Sequence, residues 1–525
     1  MKKLINIIAA IVLVTAVTSC KKSFDSLYQN PNKPTSVPSS LLLNGILYDM
    51  TDFPSTMYER WCQYFLCNYD YYGNNRYDFG SGQDYYGTLK NVIKMEEEAK
   101  NVGLADINPY SALAKFFKAY LLTKMSLEMG DIPMSQALKG NANLTPAYDL
   151  QKDVFKQAFV WLDSANTELA SLITEDATLQ GDFYFGNDLT KWQKTVNTLR
   201  LRLLIELSKQ ADDADLNIKS QFATVVNDPL QYPIMGSADD DLKFVFTHPT
   251  NDYPDNPDVF GFDGLRYNSS ATYVSLLTAF KDPRVYVTTE PATALVAAGK
   301  SPTDFTAFVG ANPGEDQGIM FNKAGSGNYS QINRYHFYQT YAAEPSIQIG
   351  YAEMCFNIAE AINRGWITKT PNGDAEYYYQ QGIKTSWAFY NIPEIGTLNT
   401  YVYVSGSPGG ADAKYNTYTV NVDFNSYYDQ PAVKYAGGST GLTQILQQRY
   451  IALFRHSGLE SYYTWRRTGV PTFTTGPGTG NSERIPLRFQ YPGVEITANA
   501  KNYENALQSQ YNGNDDINGI MWLLK

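Results

Sequence analysis

Apolar residues return every third or fourth position over much of the chain, the rhythm of helices with one buried face. Between 109 and 130 the stripe is Leu113, Phe117, Tyr120, Leu121 and Met125. Pro109 suits the first turn of such a helix and Gly130 its end. A second stripe, Phe155, Phe159, Leu162, Ala165 and Leu169, predicts a helix over 149–172 with Asp149 as its N-cap. A third, over 188–210, carries Trp192, Val196, Leu199, Leu203 and Leu207. Tyr351, Cys355, Ile358 and Ile362 predict a helix that stops before Gly365, and Ala375, Tyr379, Ile383 and Trp387 predict the next. Their short connection argues for an antiparallel helical hairpin. Leu442, Leu446, Tyr450 and Leu453 mark a last strong helix. The apolar stretch 41–66 also reads as helical, broken at Pro54.

Between the stripes the rhythm fails over long intervals. Residues 68–86, 247–270 and 310–333 mix Gly, Asn, Asp and Pro with aromatic rings, so they read as loops rich in exposed rings. Residues 393–438 read as a long loop or short-stranded insertion, 472–482 as a Gly/Thr/Pro loop, and 484–496 as a strand. Loops of this length in a compact body are usually functional. The expected architecture is mainly α, a helical scaffold carrying long loops and a few short strands.

The first residues change the setting. Lys2 and Lys3 precede an apolar run, Leu4 to Val17, too short to span a bilayer. Val17-Thr18-Ser19-Cys20 follows, a small-residue cleavage site with a cysteine just past it. This is the pattern of a bacterial lipoprotein signal, so residues 1–19 are read as a leader and Cys20 as the lipid-bearing residue. Residues 20–40, with Pro31, Pro34 and Pro38, read as an extended lipidated tether. Beyond the leader no stretch has the roughly eighteen unbroken apolar residues of a membrane helix.

Composition refines the picture only in part. A length of 525 residues allows several units and a large core. The net charge of −11 argues against nucleic acid and against adhesion to anionic lipid. Tyrosine is the outlier at 41, and a tyrosine offers a flat apolar face with a hydroxyl, which suits sugar rings or peptides. Beside Cys20 stand Cys62, Cys67 and Cys355; three is odd, so they read as free buried thiols rather than a disulfide framework.

No catalytic constellation emerges. The three histidines, His248, His336 and His456, are far apart in sequence and form no HExxH, which argues against zinc. Gly437-Gly438-Ser439-Thr440-Gly441 matches G-x-S-x-G, but the only later histidine, His456, follows too closely for the acid and base of a hydrolase. Ser439 or Thr440 is better read as a helix cap. The loop from Asn514 to Gly519 departs from a calcium loop at its first ligand and reads as a solvated turn. With 53 acids, carboxylate pairs arise by chance and none is singled out. No metal, cofactor or catalytic residue is therefore assigned.

Taken in order, several segments resemble the SusD/RagB family of outer-membrane nutrient-binding lipoproteins, its second, SusD-like branch most closely. They include Gln29-Asn30-Pro31-Asn32 and Pro38-Ser39-Ser40-Leu41-Leu42. Phe117-Lys118-Ala119-Tyr120 with Gly130-Asp131-Ile132-Pro133 follows, departing from the family at Met129 and Met134, where aromatics are usual. Lys191-Trp192 with Asn197 to Arg202, Asp282-Pro283-Arg284, and Tyr351-Ala352-Glu353 with Ala359-Glu360-Ala361 continue the series. Arg466 to Pro471, Arg484-Ile485-Pro486 and Tyr491-Pro492 complete it. The resemblance implies one SusD-like body over 41–525 built on tetratricopeptide-like helix pairs. It implies a non-catalytic protein, anchored in the outer membrane and facing the exterior, that captures a glycan, or in some members a peptide, for a TonB-dependent, SusC-like transporter. The rival is a lipid-anchored glycan hydrolase. Ligand residues vary in such a family, so candidates come from the ring-rich loops: Tyr72, Tyr77 and Phe79 in the first, Tyr253, Phe260 and Arg266 in the second, and Tyr335.

Overall fold

The computed structural model describes residues 36–525. The leader, Cys20 and most of the tether lie outside the described residues. The scaffold helices are α1 (Ser39–Asp49), α2 (Tyr86–Asn101), α3 (Pro109–Met129), α4 (Gln151–Thr174), α5 (Leu189–Glu206) and α6 (Ile218–Asn227). Further on come α7 (Gln317–Gly325), α8 (Arg334–Tyr338), α9 (Tyr351–Asn363), α10 (Ala375–Phe389), α11 (Gly438–Ala452) and α12 (Glu460–Thr468). Consecutive helices pack as neighbours, α1 on α2, α3 on α4, α5 on α6 and α9 on α10. Contact of α9 with α5 and α11 joins the two groups into one core. The stripes predict these helices, and their pairing is the tetratricopeptide-like arrangement that the family resemblance implies. Among the described residues no helix is long and apolar enough to cross a membrane.

Local chemistry sets the helix ends. At α3 the Asn108 side chain accepts from the backbone N–H groups of Tyr110 and Ser111, Pro109 fills the first position, and Gly130 ends the helix at φ 97°. At α5 the Asp188 carboxylate accepts from Thr190 and Lys191. The α4 helix starts two residues later than expected, because Asp149 faces the other way. Its carboxylate accepts from the backbone of Met134 and Ser135, tying α4 to the turn after α3. Ser439 and Thr440 lie inside α11 rather than capping it; Gly437, at φ 68°, is the cap and no side chain closes that end.

The strands are few: β1 (Phe65–Cys67), β2 (Leu242–Phe244), β3 (Tyr267–Ser269), β4 (Ser346–Ile349), β5 (Ile395–Tyr403) and β6 (Tyr415–Asp423). They form three antiparallel two-stranded ribbons, β1 with β3, β2 with β4 and β5 with β6. The insertion at 393–438 is thus a long hairpin, in register from Ile395↔Asp423 to Tyr403↔Tyr415. Residues 484–496 form no strand; they hold a single bridge, Ser81↔Gln490, and then a short helix at Glu495–Ala498. Arg488 anchors that segment through Asp515 at 2.6 Å, so ion pairing replaces a ladder.

The segments that carry the family resemblance are scaffold. Trp192 is fully buried and donates its indole N–H to Asp182. Arg202 of α5 and Arg449 of α11 grip Glu353 of α9, at 2.8 Å from Arg202 Nε and 3.0 Å from Arg449 Nη2. Burial alone would raise the Glu353 carboxyl, but the two guanidinium groups outweigh it and hold it below its ordinary value. Arg467 of α12 and Arg364 likewise bind Glu360, whose carboxyl they hold down at about 2 against its burial. Arg284 and Asp282 pair at 2.6 Å with no exposed side-chain surface. Such pairs fix how helices meet, since removing one partner strands a charge in the core. Cys62, Cys67 and Cys355 are free and buried.

Candidate functional site

The ribbon of β1 and β3 brings two of the ring-rich loops together. Beyond its register the backbone N–H of Asn68 donates to the carbonyl of Arg266 at 2.9 Å, and Asn68 Nδ2 donates to Asn268 Oδ1 at 2.6 Å. The chain after β1 and the chain before β3 therefore leave from the same end. Tyr69 and Tyr72 come from one, Arg266 from the other. The Arg266 guanidinium lies over both rings, 5.0 Å from the Tyr69 centroid and 5.6 Å from that of Tyr72. Helix α7 closes on them: Gln317 Nε2 donates to Gly73 O at 2.7 Å, and Phe321 sits 5.2 Å from Tyr69. Tyr71 meets Tyr72 edge-on at 5.2 Å and is 80% exposed. The result is an aromatic platform open to solvent.

Beside the platform lies a cleft of about 560 Å³. Arg266, Phe321, Tyr329 and Gln331 line one side; Arg334, Tyr403 and Ser405 line the other. Asn333 caps α8 by accepting from His336 N–H, and its Nδ2 reaches Tyr401 O at 3.4 Å, which ties α8 to β5. Arg334 is buried and bound by Glu290, 3.0 Å from its Nε, and Tyr403 lies over it at 4.1 Å. Tyr335 stacks on Tyr401 at 3.8 Å and 17°, with Tyr415 edge-on at 5.2 Å, so rings continue outward along the hairpin. Glycine makes the rim: Gly327 (φ 74°) has no room for a Cβ beside Thr293, and Gly406 turns the hairpin tip at φ 80°. A groove of about 610 Å³ runs along α4 and α5 instead, but charged side chains such as Asp153, Lys156 and Arg200 line it and its phenyl ring, Phe159, is buried in the core. The loop cleft combines open ring faces with hydroxyls and amides, the combination that grips a sugar.

Of the residues singled out in the sequence, Tyr72, Arg266 and Tyr335 lie at this end with accessible surface. Four others are corrected, because they are core. Tyr77 is 1% exposed and donates its hydroxyl to Trp61 O. Phe79 stacks on Phe489 at 4.1 Å. Tyr253 is fully buried, with Arg455 at 5.5 Å from its ring. Phe260 packs on Tyr338 and Tyr403 beneath the hairpin tip, where Gly409 leaves room for its ring. The reason is loop closure. Asn75 folds 68–80 back on Cys67 through two hydrogen bonds, 2.9 and 2.8 Å, and Tyr77 N–H donates to Thr479 O at 2.7 Å. That loop is a packed element with one open end. The readings from sequence missed Tyr69, Phe321, Tyr401 and Tyr403. Alternation along Tyr401-Val402-Tyr403, as on a strand face, is a signal that finds the last two.

A family model described as SusD-like, starch-binding associating with outer membrane, matches residues 31–492. Among solved structures, a SusD homologue from Bacteroides fragilis is 29% identical with a TM-score of 0.79, covering 93% of this chain and 100% of its own. A second from Bacteroides fragilis is 28% identical with a TM-score of 0.77 and the same coverage. A chitin-binding SusD homologue from Flavobacterium johnsoniae, at 19% identity, TM-score 0.64 and coverage of 92% and 97%, shares the fold. No curated protein matches.

Proposed function

The chain belongs to the SusD-like family of starch-binding proteins that associate with the outer membrane, and from that premise we propose that it captures a glycan at the cell surface and passes it to a TonB-dependent, SusC-like transporter. Acyl chains on Cys20 would tether it, and 41–525 would act as one nutrient-binding body over the barrel. The observation that carries this reading is the aromatic platform and cleft at one end of a rigid helical scaffold. Tyr69, Tyr72 and Phe321 offer ring faces, and Ser405 offers a hydroxyl on the facing wall, beside Tyr403, whose own hydroxyl donates to Ser407 O. Binding of sugars through ring faces and a few orienting polar groups needs no further chemistry. The lining also supports capture over cleavage, since glycoside hydrolysis uses a carboxyl pair and no Asp or Glu lines the cleft.

The test is retention of the soluble body, from Lys21 onward, by immobilised polysaccharides, with product analysis on the same samples. Retention with intact glycan is the expected result. Release of shortened sugars would favour a lipid-anchored hydrolase instead, and absence of retention on neutral and charged glycans alike would overturn glycan capture.

A further inference from the structure

From the charge around the cleft we infer that its ligand is an anionic glycan, one carrying carboxylate or sulfate groups, and that Arg266 is the residue that selects it. The inference rests on the capture reading above and narrows it. The protein has 53 acidic residues and a net charge of −11, yet the residues lining the cleft include two arginines and no Asp or Glu. Two neighbouring carboxylates, Glu290 and Glu315, are already engaged, while Asp70, exposed between Tyr69 and Tyr71, faces solvent on the platform's outer edge. Glu290 binds Arg334. Glu315 accepts from Tyr329 Oη at 2.6 Å and pairs with Lys323 at the rim. Asp263, three residues before Arg266, sits in the inner packing beside Tyr338, where burial, with Asp255 adding to it, pushes its carboxyl up to about 7.

Arg266 differs from its neighbour Arg334. Among the described residues no carboxylate oxygen lies within 4.0 Å of its guanidinium, and the guanidinium donates no hydrogen bond to the protein. It is held instead by ring faces, Tyr69 and Tyr72, which fix its plane without consuming its donors. A guanidinium oriented in this way presents its N–H fork to the cleft, the geometry that matches a carboxylate or sulfate. An arginine kept for structure would be expected to carry a partner, as Arg202, Arg284, Arg334 and Arg467 do. The same rings that position Arg266 can stack the sugar that bears the anion, so one element reads both the ring and the charge.

Matched probes test this on the soluble body. Polygalacturonate is compared with its methyl-esterified form, and dextran sulfate with dextran, by affinity retardation at low and moderate salt. The expected result is at least tenfold tighter retention of one charged member over its neutral partner, weakening with salt. The pair that shows it tells carboxylate from sulfate. Arg266→Gln should bring that ratio close to one, and Arg266→Lys, which keeps charge without the fork, should keep only part of it, with both variants melting like the wild type. Equal retention of charged and neutral members, or a ratio unaltered by Arg266→Gln, overturns the inference while leaving glycan capture standing. Retention of neither member of either pair, nor of other neutral glycans, overturns both.

Discussion

A ring serves a ligand only if one of its faces stays open, and burial sorts the tyrosines and phenylalanines of this protein into two kinds. Phe79, stacked on Phe489, belongs to the core, so Phe79→Ala should lower stability by about 3–5 kcal/mol in chemical unfolding, the usual cost of emptying a buried aromatic site. Tyr72→Ala, at the platform, should stay within about 0.5 kcal/mol of the wild type. Equal losses would contradict the partition. Sequence alone does not separate these residues: both sit in a Gly- and Asn-rich stretch, and the difference is made by Asn75, whose side chain closes the loop on Cys67. Buried carboxyls give a second residue-scale test. Glu128 is fully buried, and burial pushes its carboxyl from 4.5 up to about 7, against a hydrogen bond from Gln83 N–H. Its folded pKa is raised, so the stability that the bound proton contributes is present below about pH 4.5 and lost as pH rises through 7. Glu128→Gln should therefore match the wild type near pH 4 and exceed it at pH 8 by up to about 3 kcal/mol in urea unfolding. No difference between the two pH values would contradict the assignment.

At the scale of elements, helices were legible where a stripe met its own end signals, as at Pro109 and Gly130 or Asp188. Boundaries slipped where a polar side chain had a long-range partner, as Asp149 does with Met134 and Ser135. The β5–β6 hairpin was only half legible, because tyrosine, threonine and asparagine alternate on a ribbon exposed on one face and resemble a loop. That hairpin forms the cleft's second wall, and Phe260 supports its tip from below. Gly409 is the contact point: a side chain there would collide with the Phe260 ring. Gly409→Val should displace the tip and Tyr403 with it, weakening glycan retention several-fold, while the melting of the helical scaffold changes little. A variant that retains glycan like the wild type would separate the hairpin from the site.

For the whole molecule, the division of labour follows from where energy is stored. Buried pairs such as Arg202–Glu353–Arg449 and Arg467–Glu360 lock α5, α9, α11 and α12 into a scaffold. Loops with looser demands are free to build a site at one end. That is why the sequence resembles its family mostly through scaffold segments, and why the fold was readable when the ligand residues were not. The account stands on the claim that the platform of Tyr69 and Tyr72 beside the cleft is where the glycan is held. The most direct measurement is calorimetric titration of the retained glycan into wild type and into a Tyr69→Ala, Tyr72→Ala double variant. The account predicts an affinity loss on the order of tenfold or more, about 1.4 kcal/mol at least, with an unchanged melting temperature. An unchanged affinity in a folded double variant would place the glycan elsewhere and contradict it.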